Sequence, residues 1–293
     1  MGLTVAGHLK PWSDIYYDDM PWVLPESSVA EKLLHPELSR LGKRCKSRRE
    51  DYSTRTLKGF QPRGQSIALV DTLKNILRKY PRTQLPLEIL QNADDAGAGT
   101  VTFVLDKREF PGDKLLDDRL KPLQGPSLYV FNDAVFTDDD WASFGKLLSS
   151  HKFKRRDKTG AFGMGFNSVF SITDVPSVVS KKQLQFFDPL VNYLPPPCSV
   201  DSPGTSCDVV KANFAASFPD QCKPYTAVFE LCTLEDEFIG TLFRFPLRVV
   251  DNELGEACRP SEIEDMFKHI ISMGPKSLLF LRSVSSIRLE ILD

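Results

Sequence analysis

Residues 159–168, Thr-Gly-Ala-Phe-Gly-Met-Gly-Phe-Asn-Ser, constrain this chain more than any other segment. Gly160, Gly163 and Gly165 lead into a stretch, 165–172, that reads as a helix. Lys152, Lys154, Arg155, Arg156 and Lys158 precede it. A backbone that can approach a ligand closely, feeding a helix N-terminus with unpaired N–H groups, suits phosphate. The spacing G-x-x-G-x-G differs from the dinucleotide fingerprint, and no G-K-[ST] follows as a P-loop requires. Taken alone, the cluster fits a glycine-rich turn between packed elements.

A second segment changes that balance. Leu87-Glu88-Ile89-Leu90-Gln91-Asn92-Ala93-Asp94-Asp95-Ala96-Gly97 reads as a short helix, with Pro86 in its first turn and Gly97 as its C-terminal cap. Glu88, Asn92 and Asp95 fall at i, i+4 and i+7 on one face, with Leu87, Leu90 and Ala93 on the rest. An amide oxygen at Asn92 suits a hard cation such as Mg²⁺, which is held mainly through phosphates. A carboxylate one turn away at Glu88 suits the orientation or deprotonation of a water.

Together these residues resemble the ATP site of the GHKL superfamily: gyrase, the heat-shock chaperones, histidine kinases and MutL. Longer blocks are similar to one branch, the sacsin-type repeat. They are Leu90-Gln91-Asn92-Ala93-Asp94-Asp95-Ala96-Gly97-Ala98, Gln124-Gly125-Pro126, Asn132-Asp133-Ala134-Val135-Phe136-Thr137, Gly163-Met164-Gly165-Phe166-Asn167-Ser168-Val169 and Gly240-Thr241-Leu242-Phe243-Arg244-Phe245-Pro246-Leu247-Arg248. The resemblance implies a Bergerat-type α/β two-layer sandwich, a mixed sheet with helices on one face, with ATP and Mg²⁺ as cofactors. It casts Glu88 as the catalytic glutamate, Asn92 as the Mg²⁺ ligand and Asp95 as part of the nucleotide wall. Gly160, Phe162, Gly163, Gly165 and Phe166 fall in the lid and at the phosphates, and Thr241 behind the adenine acceptor. Where relatives carry Asp-x-Gly-x-Gly, this chain has Asn132-Asp133-Ala134-Val135-Phe136, and either Asn132 or Asp133 fits the acceptor position. An Asn acceptor loses roughly half the strength of a charge-assisted bond.

The implied function is an ATP-binding, weakly ATP-hydrolysing domain of a sacsin-like chaperone or co-chaperone acting in protein folding. The alternative is a protein-interaction module that keeps the fold without productive hydrolysis. Expected partners are nucleotide, other chaperones and protein clients, with further domains or an oligomer. In related ATPases a downstream cation reaches the γ-phosphate; with the sequence ending at Asp293, turnover by this chain alone is expected to be very slow.

A formal charge of −2 with no dominant basic face argues against nucleic acid, and no apolar run spans a bilayer. The six cysteines form no C-x-x-C pair, and the N-terminus has no signal-peptide core, which leads to an expectation of a soluble, cytoplasmic protein. Residues 1–64, rich in Trp, Pro and charge, read as an extension of a 65–293 ATPase-like domain. Residues 149–160 read as a ligand-gated lid. Helices are expected from residue 66 to Pro81, over 138–148 after a Thr137/Asp140 capping box, and over 261–271. Strands are expected over 100–105, 128–131, 177–187, 225–231, 241–248 and 286–291, with a proline-rich insertion near 195–204.

Overall fold

The structure is a computed structural model, and it describes residues 2–11, 14–15, 33, 35, 69–146, 165–274, 276 and 281–293. Its contacts divide into two units, Met1–Gln65 and Ser66–Asp293. In the first, strands β1 (Gly2–Leu3) and β2 (Leu9–Lys10) pair antiparallel. The chain returns beside them, with His35 N donating to Leu3 O at 2.8 Å.

The second unit is an α/β sandwich around one sheet. Its helices are α1 (Leu69–Leu77), α2 (Leu85–Asp95), α3 (Asp138–Lys146), α4 (Phe214–Ser217), α5 (Pro219–Thr226) and α6 (Pro260–Met273). Its strands are β3 (Thr100–Asp106), β4 (Ser127–Asn132), β5 (Ser177–Lys181), β6 (Gln183–Phe187), β7 (Gly204–Asp208), β8 (Phe238–Pro246) and β9 (Ser286–Leu292). They run in the order β7-β6-β5-β8-β4-β3-β9, antiparallel except for the parallel pair β3–β9. No helix among the described residues is long and apolar enough to cross a membrane.

Side-chain alternation sorts the sheet into two buried faces. Val101, Phe103, Leu105, Leu128, Val130, Val178 and Phe245 pack with α1, α2 and α6 in one cluster. Val104, Tyr129, Val179 and Leu242 face a second cluster with Phe214, Cys222 and Tyr225. The long helices therefore sit on one face, as expected, but the other face is not left to water. The segment after the proline-rich insertion covers it with α4 and α5, joined by a 3₁₀ turn, Asp118–Gln124, from between β3 and β4.

Two local expectations need correction here. The strand expected over 225–231 is instead the end of α5 followed by a turn. Pro219 fixes the first turn of that helix, and the carbonyl that Pro224 cannot use, Asp220 O, accepts from Gln124 Nε2 at 2.7 Å. The apolar residues there are fixed by contact with the second face, not by strand alternation. The segment expected as one strand over 177–187 is the hairpin β5–β6, turned at Lys181 with φ 53°. The capping box does form: Thr137 N donates to Asp140 Oδ2 at 2.8 Å and Asp140 N to Thr137 Oγ1 at 3.2 Å.

Candidate functional site

The site is built where α2 meets the 3₁₀ helix Phe166–Ser171, over the central strands β4 and β8. Two arginines fix that crossing. Arg82, in the turn just before α2, donates to Ser171 O at 2.9 Å, Glu256 O at 2.6 Å and Glu262 Oε2 at 2.7 Å. Arg248, fully buried after β8, donates to Asp174 Oδ1 at 2.7 Å, Phe170 O at 2.5 Å and Thr173 O at 3.2 Å. The carbonyls that the short helix leaves unpaired are thereby answered by guanidinium groups.

Glu88 projects from α2 onto Gly165. A Cβ added at Gly165 would collide with Glu88 Oε2, so this position admits only glycine without displacing the carboxylate. Burial alone pushes the Glu88 carboxyl above the ordinary range. Asn92, one turn along, lines a cavity with Ile89, Ala93, Asn132, Phe136, Phe144 and Phe166. Its Nδ2 is buried and has no hydrogen-bond partner. An orphaned amide at this depth calls for a ligand or an ordered water, and because an amide is assigned up to a flip, the same atom position can present oxygen to a cation.

The structure separates the two neighbours Asn132 and Asp133. Asn132 lines the cavity, whereas Asp133 turns away and accepts from Gly99 N at 2.8 Å and Thr100 N at 3.2 Å. Burial opposes ionisation of Asp133, but those amides outweigh it and lower its pKa. Asn132 Oδ1 is itself engaged, accepting from Ala134 N at 3.1 Å. Thr241 stands one shell behind: its Oγ1 donates to Ala134 O at 2.8 Å and lies 3.2 Å from Ser180 Oγ. Ser180, absent from the sequence reading, accepts from Phe136 N and donates to Gly240 O, so Thr241 and Ser180 brace the 132–136 turn. Gly240, with φ 118°, is the close-approach point, since a Cβ there would meet Phe131 Cε2 at 2.5 Å.

Asp95 is not among the cavity-lining residues. It is exposed and pairs with Arg282 Nη2 at 2.5 Å. Its neighbour Asp94 points inward and collects the amides of Arg282, Ser283 and Val284 at 2.6–3.0 Å. Led by the Arg282 amide, these donors hold the Asp94 carboxyl down at about 2 despite its burial. Gly160, Phe162, Gly163, the basic run and the 149–160 lid lie outside the described residues.

The sequence reading missed the aromatic lining. Phe144 meets Phe166 at 4.6 Å between ring centroids, Phe187 at 5.1 Å and Phe136 at 5.5 Å, mostly edge to face. Phe243 packs behind them, its ring tilted 43° to that of Phe166 at 5.7 Å. The rings leave a cavity of about 30 Å³, room for a water or two. The i,i+3 spacing of Trp141 and Phe144 was the available signal. The carboxylate and amide on α2 are of a kind that can take a cation or a phosphate, whereas the space beside Asn92 and Asn132 is filled by phenylalanine. Among the described residues no three metal-ligating side chains cluster.

The sheet order, the carboxylate-and-amide helix and the glycine that abuts it define a sacsin-type α/β domain. The family model described as the Sacsin domain matches residues 66–293, and the chain belongs to that family. It is 36% identical to human sacsin over 247 residues, which is 82% of this chain and 5% of that protein.

Proposed function

We propose that this domain is a nucleotide-binding module of a sacsin-like chaperone or co-chaperone, taking Mg-ATP and hydrolysing it slowly. The observation that carries the reading is Asn92. Its side-chain amide is buried without a partner, one helical turn from a carboxylate that rests on a glycine backbone. Asn92 contacts the cation or a phosphate oxygen, and Glu88 orients water and takes up its proton, for which its raised pKa is an advantage. Mg²⁺, when bound, neutralises phosphate charge and orients the γ-phosphoryl group. Thr241 and Ser180 hold the turn that presents Asn132. Entry of a base requires Phe144 to leave its place between Phe136 and Phe166.

A second reading, a protein-interaction module without productive hydrolysis, is favoured by two observations: the phenylalanine-filled base seat and the commitment of Asn132 Oδ1 to Ala134 N. Calorimetry with Mg-ATP and with ATP in EDTA separates the two. The first reading expects Mg-dependent binding that Asn92→Ala weakens and Glu88→Ala spares, with phosphate release lost in Glu88→Ala. Absence of heat with the parent chain at millimolar Mg-ATP favours the second.

A further inference from the structure

Among the described residues the sheet ends in two strands that are paired on one side only, β7 and β9. An unpaired strand edge is a template for another strand, and folded proteins blunt it with short length, proline, lysine or a bulge. β7 is blunted: it has five residues, Gly-Thr-Ser-Cys-Asp, starts at a glycine after Pro203 and carries no large apolar side chain. β9 is not. It has seven residues, Ser-Ile-Arg-Leu-Glu-Ile-Leu, without proline, glycine or lysine. It follows β3 residue for residue from Thr100↔Ser286 to Asp106↔Leu292, with no bulge.

What this edge offers follows from the two-residue period of a strand. Leu292 O accepts from Lys107 N at 2.9 Å, so the backbone of the even-numbered residues faces β3. The N–H and C=O groups of Ile287, Leu289 and Ile291 point outward, and none of them has a hydrogen-bond partner among the described residues. The side chains alternate as well. Ile287 and Leu289 pack on the helix-face cluster, whereas Arg288 and Glu290 line a groove on the second face. Ile291, on the helix side by alternation, is left 45% exposed.

The strand is complementary to itself. In an antiparallel pair centred on Leu289, Leu289 faces its own counterpart, Ile287 faces Ile291, and Arg288 faces Glu290. The outward groups of residues 287, 289 and 291 then meet as hydrogen-bonded pairs, which is the parity such a ladder requires. Arg288 and Glu290 fall at the intervening positions, where facing side chains are closest, with Cα atoms about 4.5 Å apart. The two-fold axis repeats each contact, giving two Arg–Glu pairs on one face of the sheet and two Ile–Ile pairs on the other. Within one chain Arg288 and Glu290 are 4.0 Å apart and both remain exposed, an ion pair of little worth that leaves both groups available. Charge matched to charge and apolar to apolar, in the one register that centres on Leu289, selects a second copy as the occupant.

We propose that β9 is a homodimer edge: two copies of the domain join their sheets antiparallel about Leu289, with Arg288 of each facing Glu290 of the other. The test is sedimentation velocity of the full chain over a concentration series, in which the parent should form a dimer. Arg288→Glu sets carboxylates against each other across the axis, and Glu290→Arg sets guanidiniums against each other. Symmetry counts each change twice, so either variant alone should weaken the dimer about tenfold or more. Mixed in equal amounts, the two variants should recover a heterodimer of near-parental affinity, because every carboxylate of one chain then faces a guanidinium of the other. That recovery cannot arise within a chain, since the internal Arg288–Glu290 pair is broken in both variants. Ile291→Pro removes an outward N–H that β3 does not use, and should also weaken the dimer. All are edge positions, so unchanged circular dichroism reports an intact fold. A parent that stays monomeric at every concentration, a dimer indifferent to both charge reversals, or variants that form no heterodimer when mixed would each overturn the proposal. A monomer whose Ile287, Leu289 and Ile291 amides are nevertheless protected from hydrogen exchange would put another segment of the same chain on this edge, and overturn it as well.

Discussion

The helix face of the sheet and its second face treat aromatic side chains in opposite ways. On the helix face, Phe136, Phe144, Phe166, Phe187 and Phe243 close on one another and leave almost no free space beside Asn92. On the second face, Phe131 and Phe229 line an open groove of about 210 Å³. A similar contrast separates the two buried arginines of the β8 region. Arg248 is paired with Asp174, while Arg244 on the second face has only neutral partners, Tyr129 OH at 3.1 Å and Leu123 O at 2.6 Å. Density of apolar contact thus says little about binding; what differs is whether polar groups nearby are left without answers.

The largest effect that tests this contrast is expected at Arg248. Arg248→Met leaves Asp174 buried without its cation and frees several carbonyls, and should cost about 3–5 kcal/mol in urea unfolding. Asp94→Ala comes next, at about 2–3 kcal/mol, because it strands the amides of 282–284. Its pH dependence has a definite sign. The folded pKa lies below the ordinary 3.8 of an Asp carboxyl, so the carboxylate stabilises the fold above that value, and the contribution is lost as pH falls toward about 2. The parent should therefore show a steeper acid-unfolding limb than Asp94→Ala.

Phe144→Leu should cost about 1–2 kcal/mol by thinning the ring cluster. On the proposed nucleotide-binding reading it also makes room for a base, so calorimetry should show tighter Mg-ATP binding than in the parent. Unchanged affinity would mean that the rings are not what limits the site. The smallest effect is expected at Arg244. Replacing a buried guanidinium that has no carboxylate partner among the described residues with Met should change stability by no more than about 1 kcal/mol. A loss as large as that at Arg248 would erase the distinction between the faces.

Much of the fold was legible because its signals are local. The Thr137 capping box, the glycine after α2 and the alternation of Val101, Phe103 and Leu105 each act within a few residues. Of the residues that the motif blocks singled out, Asn92, Asn132 and Phe166 line one cavity, while Glu88 rests on Gly165 and is not among the lining residues. What escaped was decided at long range. Val104 reads as the polar side of a strand edge until the second face is covered, and Tyr225 reads as strand until Gln124 answers the carbonyl freed by Pro224. Asp95 and Asp133 carry the charge that suggests a site, yet distant groups, Arg282 and the Gly99–Thr100 amides, claim them for structure. No spacing in the sequence distinguishes a carboxylate facing a cavity from one that ties down a backbone.

The Asp94 tether also carries a timing. Its carboxylate and the last amide it accepts, Val284 N, are 190 residues apart in sequence. A ribosome adding roughly 5–20 residues per second needs on the order of 10–40 s to cross that interval. Throughout it, β3 has been made but its parallel partner β9 has not, and the outer edge of β3 offers unpaired N–H and C=O groups to any passing strand. Until β9 has been made, the nascent domain therefore carries an open sheet edge at β3.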